Sequence, residues 1–208
     1  MKDIWYADKR DVLKWSGVVH LCSKEEIRSI LWVPYYRKQE WPELVFDKVN
    51  ITLPEQVIKH FRDIEDIARL AHSTGLIIEV IKQEFSHDTR TSYHRDVCEK
   101  IKRMNEQKIV FLDPDVGLAP TMVKAEHVKP SEIVEIWRSL KPRDFLVFYQ
   151  HRFRSRDWME RRKKQLAQAC GVEANQVKAW SASERGKDAV IAKDVVCFFI
   201  KKQAGHAL

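Results

Sequence analysis

The residues best suited to chemistry stand where apolar runs stop. Ile109-Val-Phe-Leu112 is wholly apolar and ends on Asp113-Pro-Asp-Val-Gly117. Two carboxylates flanking Pro114, which fixes one backbone angle, could hold a substrate amine or join in binding Mg²⁺ or Mn²⁺. The plainer alternative is a turn capped by Asp113, with Asp115 facing water. A second run, Phe145 to Tyr149, ends on Gln150-His151. His151 has the chemistry of a general base or a metal ligand, or of a polar residue opening the next helix. Gln150 could bond a base edge or a cofactor.

Beyond His151 the chain turns basic. From Arg143 to Lys164 eight basic residues face three acidic ones, so most of the net charge of +7 arises there. Arg152, Arg154, Arg156, Arg161 and Arg162, interleaved with Phe153 and Trp158, suit the phosphates and bases of a nucleic acid. A solvated helix face is the other reading. Near the N-terminus, Tyr6 to Trp15 carries Lys9, Arg10 and Lys14, which could bind a carboxylate or phosphate at a sheet edge. Glu84, after the run Leu76–Ile81, and Glu79 within it could accept hydrogen bonds from ribose hydroxyls.

These residues need a frame, and hydrophobic periodicity supplies one. Helices are expected over Asp11–Leu21, from Pro54 to Ala71, and over Tyr93–Asn105, Pro130–Leu140 and Asp157–Cys170. Short, continuously apolar strands are expected at Ile30–Val33, Leu76–Ile81, Lys108–Leu112, Asp144–Tyr149, Val177–Trp180 and Val195–Ile200. Residues 35–54, aromatic and broken by proline, read as an insertion. Alternating strand and helix imply a single α/β domain over 1–208. Its three layers enclose a mostly parallel sheet, with an antiparallel edge from the C-terminal strand pair. Ligands of such sheets bind at the carboxyl ends of the strands, where the candidate residues fall.

Composition narrows the classes. Of 208 residues only 6 are glycine, and no two lie closer than 15 positions, which excludes the ordinary glycine-rich phosphate loop. No apolar run approaches the ~18 residues of a membrane span, and the first residues lack the apolar stretch of a signal peptide. Cys22, Cys98, Cys170 and Cys197 have neither zinc-site nor disulfide-framework spacing. A reduced, cytoplasmic protein is expected.

Ala7-Asp-Lys-Arg-Asp-Val-Leu-Lys-Trp15, followed by a short strand, resembles the opening of bacterial 23S rRNA adenine-N6 methyltransferases. Ile109 to Asp115 falls where that family carries a catalytic Asp-Pro-Pro-Tyr motif. The chain is also similar to bacterial proteins with a Leu-Asp-Pro-Asp-x-Gly segment and a later Tyr-Gln-His. The resemblance implies a Rossmann-like sheet that binds S-adenosylmethionine. Asp113 would accept a hydrogen bond from an adenine amine, and Pro114 would shape its loop. Lys14 and Trp15 would lie near the methionine end of the cofactor, with Glu84 or Glu79 near its ribose. Two departures stand out. Trp32-Val-Pro-Tyr-Tyr-Arg37 replaces the family's glycine-rich cofactor loop. Asp115 and Val116 replace the second proline and the aromatic ring of its catalytic motif.

Three function classes follow. The first is S-adenosylmethionine-dependent methyl transfer to an amino group of a nucleic-acid base. The second is a Mg²⁺- or Mn²⁺-dependent nuclease or phosphodiesterase using Asp113, Asp115 and His151. The third is a non-catalytic relative that binds nucleic acid or protein.

Overall fold

The computed structural model describes residues 8–37, 43–57, 64–119, 124, 126–153, 155–182 and 192–204. Helix α1 (Lys9–Glu25) begins where the Asp8 carboxylate accepts the N–H groups of Arg10 and Asp11 at 2.7 and 3.2 Å. It ends at Glu26, which adopts a left-handed conformation (φ 57°). The helix extends past the expected Asp11–Leu21 at both ends, because its terminal turns are polar and carry no apolar period.

Strand β1 (Ser29–Val33) follows, then the hairpin β2 (Leu44–Phe46) and β3 (Val49–Ile51) within the expected insertion. Residues 55–57 are helical, and a 3₁₀ turn at Ile64–Asp66 leads into α2 (Ile67–Thr74). The middle of the helix expected from Pro54 to Ala71 lies outside the described residues. The chain continues through β4 (Ile77–Val80), α3 (Arg90–Arg103), β5 (Lys108–Leu112), and the short strands β6 (Gly117–Leu118) and β7 (His127–Val128). It closes with α4 (Pro130–Ser139), β8 (Phe145–His151), α5 (Trp158–Cys170), β9 (Lys178–Ser181) and β10 (Val195–Lys201).

Six strands form the main sheet in the order β4-β1-β5-β8-β10-β9. The first four run parallel, and β10 is antiparallel to both β8 and β9. Successive residues of β1 face opposite layers. Leu31 and Val33 pack under α3, α4 and α5, while Ile30 and Trp32 pack under α1 and α2. This is the expected three-layer Rossmann-like arrangement with an antiparallel C-terminal edge. Among the described residues no helix is long and apolar enough to cross a membrane.

The strand order fixes where a ligand can enter. From β1 the chain passes to β4 on one side, then returns to β5 on the other. The direction of winding reverses between β1 and β5, so a crevice opens at their carboxyl ends. Those ends are Val33 and Leu112, and the residues that follow are Pro34–Arg37 and Asp113–Asp115.

Candidate functional site

A cleft of about 370 Å³ occupies this crevice, lined by Arg10, Lys14, Arg37, Asp113, Tyr149 and His151 among others. Its size suits a small-molecule site. Asp113 sits at its floor, 1% exposed. Its backbone N–H donates to the Val33 carbonyl at 2.9 Å, carrying the β1–β5 ladder one residue past Leu112 and fixing where the side chain emerges.

Lys14 reaches that carboxylate from α1. Its Nζ donates to both Asp113 oxygens at 2.9 Å and lies 2.5 Å from Asp11 Oδ1, one helical turn back. Trp32 Nε1 adds a bond to Asp113 Oδ2 at 3.3 Å. The Tyr149 ring lies 4.8 Å from the ammonium. Burial alone would lower the Lys14 pKa, but Asp113 and Asp11 outweigh it and hold the ammonium above its ordinary value. Burial raises the Tyr149 phenol well above its usual value, against the opposing pull of Lys14. Neither group therefore serves as a base near neutral pH. Lys14 positions Asp113.

Two further ion-pair systems ring the mouth. Arg37, after β1, pairs with Asp115, after β5, and its Nη1 lies 3.9 Å from Glu126 Oε2, so a guanidinium spans the crevice. Burial lowers the Arg37 pKa, and Glu126 opposes that shift. On the other side, Arg10 meets Asp8 at 3.1 Å and Asp194 at 2.5 Å. His151 Nε2 lies 3.0 Å from the same Asp194 oxygen, while Nδ1 faces the Arg152 carbonyl at 3.3 Å. Asp194 is a site residue that sequence reading missed. It precedes β10, whose first residue pairs with His151, and that register brings it against Arg10 and His151, behind the cleft lining.

Gln150 has a structural task instead. Fully buried, it accepts the Leu118 N–H at 3.0 Å and donates to the Val116 and His151 carbonyls at 2.9 and 2.8 Å. Gly117 permits this, since a Cβ there would stand 2.4 Å from Gln150 Oε1 and its φ is +114°. The amide thus clamps the loop that carries Asp113 to Asp115.

The other predicted residues are distributed as follows. Pro114 and Asp115 line the cleft. Trp15 lies in the core, edge-on to Trp32 and Phe111 at 5.2 and 5.5 Å. Glu79 pairs with Lys100 of α3, away from the cleft, and Glu84 stands exposed on the loop after β4. Arg152 and Arg156 are exposed beyond β8. Arg161 pairs with Asp157 at 2.7 Å. Arg162 is buried, its guanidinium 4.0 Å from the Phe153 ring centre. Arg154 lies outside the described residues.

The loop after β1 turns without glycine. Tyr35 adopts a left-handed conformation (φ 48°), which costs a non-glycine residue about 1–2 kcal/mol. Its ring is buried against Phe85, Tyr93 and His94, with centroids 5.1–5.6 Å away, and this packing offsets the strain. For a metal ion the donor set is poor, since Lys14 already neutralises Asp113 and Arg37 neutralises Asp115. Among the described residues no three His, Cys, Asp or Glu side chains converge on a metal site.

No family model matches the chain, and no curated protein sequence matches it. Several solved structures are similar at low identity, among them the following three. One is a Clostridium thermocellum protein provisionally named an rRNA methylase, 10% identical with a TM-score of 0.36, over 90% of this chain and 96% of that one. Another is an S-adenosylmethionine-dependent methyltransferase from Clostridium acetobutylicum ATCC 824, at 8% and 0.37, over 96% and 94%. The third is the N-methyltransferase NodS from Bradyrhizobium japonicum WM9, at 9% and 0.33, over 91% and 96%.

Proposed function

We propose that the cleft is the site of S-adenosylmethionine-dependent methyl transfer to an amino group of a nucleic-acid base. One observation carries this reading. The two segments on which the family resemblance rests, Asp11-Val-Leu-Lys14 and Leu112-Asp-Pro-Asp115, meet at the switch point as the Lys14–Asp113 ion pair.

The donor set suits the zwitterionic end of such a cofactor. Arg10 and Asp8, which line the cleft paired with each other, would exchange that pairing for the cofactor's carboxylate and ammonium. Glu84, on the loop after β4, would accept hydrogen bonds from the ribose hydroxyls. When bound, the cofactor supplies a methyl group on a sulfonium.

Asp113 takes the part of amine acceptor. A carboxylate has about four acceptor sites, and Lys14 and Trp32 occupy three. The fourth would accept one N–H of an incoming amine and so orient the nitrogen before reaction. Held from two sides, the carboxylate needs no reorganisation to do so. Arg152 and Arg156 would hold phosphates beside the cleft.

Calorimetry with S-adenosylhomocysteine tests the assignment. Binding to the native protein, weakened at least tenfold by Arg10→Ala, supports it. Mg²⁺-dependent cleavage of nucleic acid without the cofactor would favour the nuclease instead.

A further inference from the structure

A second, larger recess lies at the opposite end of β8. It has a volume of about 660 Å³ and runs between α1 and the β10–β9 edge. Its wall includes Phe145, the first residue of β8, whereas the cleft takes Tyr149 and His151 from the other end of that strand.

Aromatic rings and lysines dominate its chemistry. Trp180 of β9 and Phe199 of β10 lie with ring centroids 5.5 Å apart, and both line the recess. The indole is seated on α1 where the helix has no side chain, since a Cβ on Gly17 would fall 2.1 Å from Trp180 Cε2. Glycine inside a helix is costly relative to alanine, and here it lets a tryptophan approach the helix backbone. Lys24 and Lys178 are exposed on the rim, and neither meets a carboxylate among the described residues. The acidic residue of the lining, Glu25, is already paired with Lys201 at 2.8 Å.

From this arrangement we infer that the recess binds single-stranded nucleic acid, with a base against Trp180 and Phe199 and backbone phosphates on Lys24 and Lys178. Ring faces accept any base and lysines track the phosphates, the combination that single strands require. An acidic peptide would use the lysines and leave the rings idle. The inference stands apart from methyl transfer, because no residue of the recess lines the cleft.

Fluorescence anisotropy of a labelled single-stranded RNA 12-mer provides the test, comparing the native protein with Lys24→Glu/Lys178→Glu. Both positions are exposed, so folding is preserved. The expected result is affinity at least tenfold lower, with the slope of log K against log salt reduced by about 1.4 for two lost contacts. Trp180→Leu, which keeps an apolar side chain, should weaken binding by about tenfold without changing that slope. Binding of S-adenosylhomocysteine by the charge-reversed variant should equal the native value, separating failure of this site from failure of the cleft. Unchanged RNA affinity in the charge-reversed variant would overturn the inference. So would polyglutamate binding as tight as RNA and lost in the same variant.

Discussion

Lys14 Nζ lies 2.9 Å from both carboxylate oxygens of Asp113, although 99 residues separate them in the chain. Both are buried, so the charges have little solvent to fall back on. Removing one partner leaves the other stranded. Lys14→Met should therefore cost about 3–5 kcal/mol in urea denaturation, and Lys14→Met/Asp113→Leu should recover the part due to Asp113, while the part due to Asp11 persists. Equal stability of the single and double variants would contradict this account of the pair.

Glu132 makes stability depend on acid. Its carboxylate lies 2.5 Å from Arg90 Nε and 3.3 Å from His94 Nε2, and it accepts the Lys129 N–H at 2.7 Å. Burial alone would raise its pKa, but His94 and Arg90 outweigh burial and bring it down to about 2. The folded value is below the unfolded one, near 4.3. Its contribution is thus complete above about pH 5 and is lost as pH falls toward 2. Glu132→Gln should lower stability at neutral pH and flatten the acid limb of a stability–pH curve.

Gly17→Ala separates helix propensity from packing. Alanine gains about 1 kcal/mol in a helix interior, but the added methyl would collide with the Trp180 ring. Overpacking of this kind costs about 1–3 kcal/mol. The variant should melt lower than the native protein, and Trp180→Ala in the same chain should remove the penalty, as a double-mutant cycle would read out.

How much of this was legible in the sequence depended on the element. Strand β5 was expected at Lys108–Leu112 and is found there, and β1 differs by one residue, because both are continuous apolar runs cut off sharply, by Pro34 after β1 and Asp113 after β5. The hairpin at 44–51 left no such mark. Its turn places Asp47 and Lys48 at positive φ (48° and 69°), positions that usually announce themselves with glycine or asparagine. Asp113 was legible as a residue ending a buried strand at a sheet edge. Its partner was not, since no spacing rule joins α1 to β5. Arg37–Asp115 and His151–Asp194 were hidden for the same reason, as each exists only through the strand order. Glu79 looked like a ribose ligand because the sequence does not reveal Lys100 on the helix beside it.

Arg152 and Arg156 should act on nucleic acid through charge. Both are exposed, whereas Arg161 and Arg162 are engaged within the protein. Arg152→Ala/Arg156→Ala should weaken single-strand binding across sequences and lower the salt slope by about 1.4, while Arg161→Ala should change little. Equal effects of all three would place the contact elsewhere.

Thermal denaturation with and without S-adenosylhomocysteine tests the methyl-transfer reading most directly. At a hundredfold excess over its Kd the ligand should add about 2.7 kcal/mol, raising Tm by roughly 5–10 °C for a chain of this size. The rise should shrink in Arg10→Ala, which loses the cation offered to the ligand carboxylate. No rise at millimolar S-adenosylhomocysteine or S-adenosylmethionine would contradict the assignment of the cleft.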